Sequence, residues 1–176
     1  MTLSKTVIEE KLPEERTDRV GWAYRVAQEA ERAKARFDAW AQDYDRDVED
    51  LLGWKGPQNT LIHVLTHVPK GSRILDAGSG TGLMGALLFQ AGYRNLVATD
   101  ISDKMLEVAR TKDVYLSDFQ ADLNQPLSVS DDSFDCVVSV GVSGYMSPGT
   151  IGEFVRVVRP GGVIVYTISD GHYEEN

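Results

Sequence analysis

One cysteine, Cys136, stands among 176 residues, which excludes an internal disulfide framework and a cysteine-rich zinc site. No apolar run is long enough to cross a bilayer, and the opening MTLSKTVIEEKLPEER has no apolar segment of the signal-peptide kind. A cytoplasmic protein without membrane contact is therefore expected. Basic residues are a minority: 18 Lys and Arg stand against 27 Asp and Glu, a formal charge of −9, with no Lys/Arg cluster. A protein that neutralises many phosphates carries a basic face, so nucleic acid is disfavoured as a partner. Internal repeats and low-complexity tracts are also missing.

What is present is a globular composition, 42% hydrophobic and 26% charged, in a length that supports one domain with a sizeable core. Residues 1–20 are polar and aperiodic and are expected to form a flexible tail. Trp22 to Leu52 is helix-friendly, with apolar residues at helical spacing in Phe37, Trp40, Ala41, Tyr44, Val48 and Leu51/Leu52 and a stop at Gly53. The acidic run Asp43, Asp45, Asp47, Glu49, Asp50 reads as a solvated face. Pro57 opens a second helix, NTLIHVLTHV, so residues 21–70 form an N-terminal helical part. His63 and His67 lie four apart on it, but HVLTH lacks the glutamate of H-E-x-x-H, and no metal site is assigned.

From residue 71 to 176 strands and helices alternate. RILDA (Arg73–Ala77), NLVATD (Asn95–Asp100), VYLSDF (Val114–Phe119), FDCVVSVGV (Phe134–Val142) and VIVYTI (Val163–Ile168) read as strands, with helices at Leu83–Ala91, DKMLEVAR and EFVRVV between them. Ser102 is expected to cap the second of these helices, and Thr150 with Glu153 to form a capping box on the third. Strands that read as near-continuous apolar runs are buried on both faces. The pattern predicts an α/β, Rossmann-like, doubly wound parallel sheet with ligands beyond the carboxyl ends of its strands.

ILDAGSGTG (Ile74–Gly82) breaks from the first strand into a glycine loop. Dinucleotide enzymes hold a pyrophosphate at such a loop with G-x-G-x-x-G. Here Gly78, Gly80 and Gly82 make G-x-G-x-G, and Gly85 does not restore the spacing. Asp76 would repel a pyrophosphate: at about 6 Å and an effective dielectric near 20, one like-charged pair costs about 3 kcal/mol. A cationic ligand reverses the sign. S-adenosylmethionine has a sulfonium, an ammonium and one carboxylate, which loop N–H groups would take while Asp76 faces the positive part. Asp100 can accept from both ribose hydroxyls, Asp122 from the exocyclic amine of adenine, and Ile101, Met105 and Leu123 can wall the ring. Taken singly, Asp100 also suits a helix cap, Asp122 a turn, and Met105 ordinary packing.

These residues carry a family resemblance. DAGSGTG, ATDIS followed by Met105-Leu106, the aspartate of ADL, FDCVVSVGV and RVVRPGGVIVYT are similar to the motifs of class I S-adenosylmethionine-dependent methyltransferases. FDAWAQDYDRDVEDLLGWKGP resembles the methyltransferase-like protein 27 group, the Williams–Beuren region methyltransferases. The resemblance implies that this N-terminal helix closes over the cofactor, with Trp40 and Tyr44 near the site, although both also suit a helix core. The candidate cofactor-binding residues are Asp76, Ala77, Gly78, Ser79, Gly80, Gly82, Asp100, Ile101, Met105, Asp122, Leu123, Val140 and Tyr44; no catalytic residue is assigned. GVSGYMSP (Gly141–Pro148) is expected to face the methyl, with Tyr145 its one side chain of interest. It lacks the motifs of enzymes that methylate bases, so a small-molecule or protein acceptor is expected. The family's sheet continues after the fifth strand with a helix and two strands, whereas this sequence stops at SDGHYEEN. The last two strands are expected to be missing, leaving the fifth as an edge open to self-association. The alternative is a module that holds the cofactor without transferring the methyl.

Overall fold

The protein is described by a computed structural model covering residues 10–25 and 29–168. Residues 1–9 of the expected tail and Ser169–Asn176 lie outside the described residues. The five strands are β1 (Arg73–Ala77), β2 (Asn95–Asp100), β3 (Ser117–Gln120), β4 (Phe134–Ser139) and β5 (Val158–Tyr166). All pair in parallel in the order β3-β2-β1-β4-β5. The order reverses between β1 and β4, where a doubly wound sheet opens its crevice.

Alternation along β1 shows how the sheet is sandwiched. Ile74 faces α4 (Gly56–His67) and α5 (Leu83–Gln90) through Val64, Met84 and Leu88, whereas Leu75 and Ala77 face α7 (Pro148–Val157) through Phe154 and Val157. Asp76 shares the Ile74 face by strand periodicity. α6 (Asp103–Arg110) buries Met105, Leu106 and Ala109, and Ser102 caps it by accepting the Met105 N–H at 3.0 Å. Cys136 is buried in β4, its thiol pushed up to about 12 by burial, and serves as a small apolar residue. His63 and His67 are exposed on α4, and no cluster of metal-ligating side chains occurs among the described residues. No described helix is long and apolar enough to cross a membrane.

Several expectations are corrected. The helix-friendly stretch is not one helix: α1 (Arg16–Tyr24) begins inside the expected tail, α2 spans Ala30–Trp40, and α3 (Tyr44–Asp47) runs into a π turn at Val48–Leu52. The acidic run is a solvated face only in part: Glu49 and Asp50 are exposed and Asp43 and Asp45 half-buried, but Asp47 does not belong to it. Asp47 is fully buried and accepts hydrogen bonds from Arg16 Nε (2.6 Å), Arg19 Nη1 (2.6 Å) and Trp40 Nε1 (2.9 Å). Those partners sit on α1 and α2, so one carboxylate of α3 ties three helices together. Thr150 and Glu153 form no capping box: the Thr150 hydroxyl donates to Asn124 Oδ1 at 2.9 Å, and Glu153 accepts the Leu127 N–H at 2.7 Å. β5 starts at Val158, five residues before Val163, and bulges at Pro160–Gly162, where Phe134↔Val158 gives way to Cys136↔Val163; proline has no N–H for the ladder. β3 begins at Ser117, and Val114 and Tyr115 precede it rather than belonging to it.

Burial pushes the Asp47 carboxyl up, but the bonds from Arg19, Trp40 and Arg16 outweigh it and hold it at about 2. A depressed carboxylate stabilises above its unfolded pKa, and that contribution is lost as pH falls from about 4 towards 2. Asp47→Ala leaves the nearly buried Arg19 only Asp43 at 3.1 Å and the Pro13 carbonyl at 2.9 Å, takes away the acceptor of the buried Trp40 indole, and is expected to cost about 2–3 kcal/mol. Urea unfolding at pH 7 and pH 3 checks this: the gap between parent and variant should narrow in acid, and an equal gap at both would refute the ion-pair account.

Candidate functional site

The crevice at the β1/β4 reversal holds an open cleft of about 720 Å³. A smaller one of about 320 Å³ adjoins it, sharing Tyr44, Gly78, Gly80 and Val140. The strand ends explain the position: Asp76 lies one residue before the end of β1, Asp100 closes β2, and Asp122 follows β3 by two residues. The glycine loop is pinned to β2, because Gly78 N and Ser79 N both donate to Thr99 O, at 2.8 and 2.9 Å. Gly78 is obligatory twice over. Its φ is +73°, and a Cβ there would meet Val142 Cγ2 at 2.5 Å.

Each rim carboxylate has a distinct setting. Asp100 accepts Gly80 N–H at 2.8 Å on one oxygen and Ser102 N–H at 2.9 Å on the other. Burial pushes its carboxyl up to about 6; the Ser102, Gly80 and Ile101 amides pull it down, and Asp38 pushes it further up. Asp38 itself, from α2, accepts the Ser102 hydroxyl at 2.6 Å, which ties the N-terminal helices to the α6 cap. Asp122 accepts Asn124 N–H at 2.9 Å, the turn geometry its sequence context allowed, while also lining the cleft. Asp76 is buried and accepts the Tyr115 hydroxyl on Oδ2 at 2.6 Å.

Of the candidates from sequence, Tyr44, Gly78, Gly80, Asp100, Ile101, Met105, Asp122, Leu123 and Val140 line the larger cleft, and Asp76 and Ser79 the smaller. Ala77 and Gly82 line neither: Ala77 points into the α7-side core, and Gly82 stands at the N-terminal end of α5. Trp40 is also absent from both linings; its indole is buried and donates to Asp47. Tyr145 does line the larger cleft, its ring 5.4 Å from that of Phe37, so α2 meets the loop after β4. Ala30, Ala33, Phe37 and Asn124 line the larger cleft and Trp54 the smaller, though sequence reading assigned none of them to the site. In the sequence Phe37 shows only as part of an apolar stripe. Tyr115 was also missed, and its signal was Gly85, a lone glycine inside a helix.

S-adenosylmethionine fits these donors and acceptors. Three carboxylates line the two clefts, and no Lys, Arg or His does among the described residues. That lining suits a cation and opposes a pyrophosphate. Ser79 Oγ is buried without a hydrogen-bond partner among the described residues, beside the smaller cleft, as a donor for a ligand carboxylate would be.

A family model described as a methyltransferase domain matches residues 75–166, more than half of the chain. Human methyltransferase-like protein 27 is 36% identical over 137 residues, 74% of this chain and 55% of that protein. Malonyl-[acyl-carrier protein] O-methyltransferase of Pectobacterium atrosepticum is 33% identical over 153 residues, 85% of this chain and 55% of that protein. The chain thus spans about half the length of these relatives. An S-adenosylmethionine-dependent methyltransferase of known structure from Mesorhizobium loti is 26% identical, with a TM-score of 0.51 over 60% of this chain and 51% of that one. Strand order, glycine loop, acidic rim and matched domain agree: the chain belongs to the class I S-adenosylmethionine-dependent methyltransferases.

Proposed function

We propose that this chain binds S-adenosylmethionine across the two clefts and transfers its methyl group by in-line displacement to a small-molecule or protein acceptor. The observation that carries this is the charge of the cleft linings: three carboxylates and, among the described residues, no cationic side chain. In this reading Asp100 accepts from the ribose hydroxyls, and Asp122 accepts from the adenine amine between the apolar walls of Ile101, Met105 and Leu123. Ser79 and the loop amides take the ligand carboxylate, and Asp76 faces the ammonium.

The cofactor supplies a methyl on an already activated leaving group, so the protein needs no strong nucleophile. What the chain contributes is alignment and exclusion of water, and positioning alone supplies several kcal/mol. α2 and Tyr44 cover the cleft, and the loop carrying Val142 and Tyr145 forms its far wall. A general base is required only for an acceptor that stays protonated at neutral pH, and none is assigned.

Isothermal titration with S-adenosylmethionine and NAD in parallel tests the binding half. One equivalent of the former and none of the latter is the expected result; the reverse would overturn the reading. The alternative, a module that holds the cofactor without turning it over, draws on the part of its relatives that this chain does not span. Release of S-adenosylhomocysteine with any acceptor in a metabolite and protein screen would exclude it.

A further inference from the structure

We propose that Tyr115 is a positioning residue for the cationic end of the cofactor: its phenol holds Oδ2 of Asp76 and fixes how the carboxyl is presented at the smaller cleft. This rests on the cofactor reading above. Tyr115 stands just before β3, where strand alternation gives it no evident task, yet its ring turns inward against the α4/α5-side core and its hydroxyl donates to Asp76 Oδ2 at 2.6 Å. The slot is carved for it. A Cβ on Gly85 would lie 2.1 Å from the Tyr115 hydroxyl and 2.2 Å from Cζ, and one on Gly82 would lie 3.1 Å from the ring. Glycine in a helix costs about 1 kcal/mol relative to alanine, and here only glycine leaves room for the phenol.

The groups facing Asp76 show what the phenol does. The Tyr115 hydroxyl reaches it from the segment before β3, the Gly85 amide from α5, and the like charge of Asp100 from the end of β2. On the side of the N-terminal helices, Tyr44 and Trp54 line the same cleft. Asp45 and Lys112 pair with each other at 2.8 Å where both bond Thr81. Among the described residues no cation shifts Asp76. Burial pushes its carboxyl up to about 7, Asp100 adds to this, and Tyr115 and the Gly85 amide work against it. The hydroxyl therefore favours the ionised form that an ammonium needs, and an arriving ammonium completes the ionisation and expels a proton.

Tyr115→Phe keeps the ring in its slot and removes only the donor. The probes are S-adenosylhomocysteine, which carries the ammonium, and 5′-methylthioadenosine, which does not, each titrated calorimetrically from pH 6 to 8. For S-adenosylhomocysteine the parent's affinity should climb through about pH 7. In the variant the climb should move up by about one pH unit, with affinity at pH 7 lower by about 5–10-fold. Methylthioadenosine should bind both proteins alike at every pH. A second measurement needs no variant: at pH 7 the parent should release a fraction of a proton on binding S-adenosylhomocysteine, read from the enthalpy in phosphate against Tris. Equal profiles for the two proteins, equal weakening of both ligands, or no proton release would overturn the proposal. A parent that binds neither ligand would overturn the cofactor reading and this inference with it.

Discussion

Asp100→Ala should bind S-adenosylmethionine at least about 100-fold more weakly than the parent while unfolding at a similar temperature. The size follows from how the carboxylate is held. Its two oxygens are fixed by the Gly80 and Ser102 amides at 2.8 and 2.9 Å, so its remaining lone pairs project into the cleft in one orientation. Two charge-assisted bonds to a ribose diol contribute about 1.5–3 kcal/mol each, and about 3–6 kcal/mol together is a factor of about 100 or more in affinity. Truncation also leaves Gly80 N–H without its acceptor, loosening the loop that meets the ligand carboxylate. Stability should change little, because the removed group is itself a nearly buried carboxyl held up at about 6. Calorimetry and a thermal melt on one preparation check both halves. Affinity within a few-fold of the parent would remove Asp100 from the ribose role; a melt collapsed by the substitution would make its loop anchoring structural instead.

The parts of the site that sequence made legible share one property: they sit where a strand ends. Asp76, Asp100 and Asp122 each lie within two residues of the carboxyl end of a strand, and a parallel sheet brings those ends to one rim. The doubly wound parallel sheet, the Ser102 cap and the places of Tyr44 and Val140 in the cleft lining follow from the same local grammar and the family likeness. What was not legible depends on partners far along the chain. Asp47 looks like its acidic neighbours, and only Arg16 and Arg19, 31 and 28 residues upstream, make it a buried hub. Thr150 has the spacing of a helix cap, yet its hydroxyl goes to Asn124, 26 residues away, whose side chain also accepts Ser147 N–H at 2.6 Å. Trp40 and Tyr44, of which the family likeness favours Tyr44 for the site, pack ring to ring at 4.8 Å across the helix break, and only Tyr44 also lines the clefts.

Asp76→Asn should make the free protein more stable at pH 8 and cripple its hold on the cofactor. The acid's usual pKa of 3.8 rises to about 7 in the folded state, burial being the main cause. Below about pH 4 both folded and unfolded chains carry the proton, and the group is neutral to folding. Between about 4 and 7 the unfolded chain gives up the proton that the folded chain keeps, so stability falls as pH rises. The full loss is on the order of 4 kcal/mol once the pH passes 7. Asparagine has nearly the same shape, can accept the Tyr115 hydroxyl through its carbonyl and carries no charge to desolvate. The variant should therefore melt about 5–10 °C higher than the parent at pH 8, with the gap closing towards pH 4. Its affinity for S-adenosylmethionine should fall by about tenfold or more, since the ammonium loses its buried counter-ion. Saturating cofactor should then raise the parent's melting temperature more than the variant's, because only the parent recovers on binding what it loses by keeping a bare carboxylate in the core. An asparagine variant that melts lower than the parent at pH 8, or that keeps parental affinity, would mean the carboxyl is held ionised by the protein alone. The reason for an acid at that position would then lie in folding rather than in the ligand.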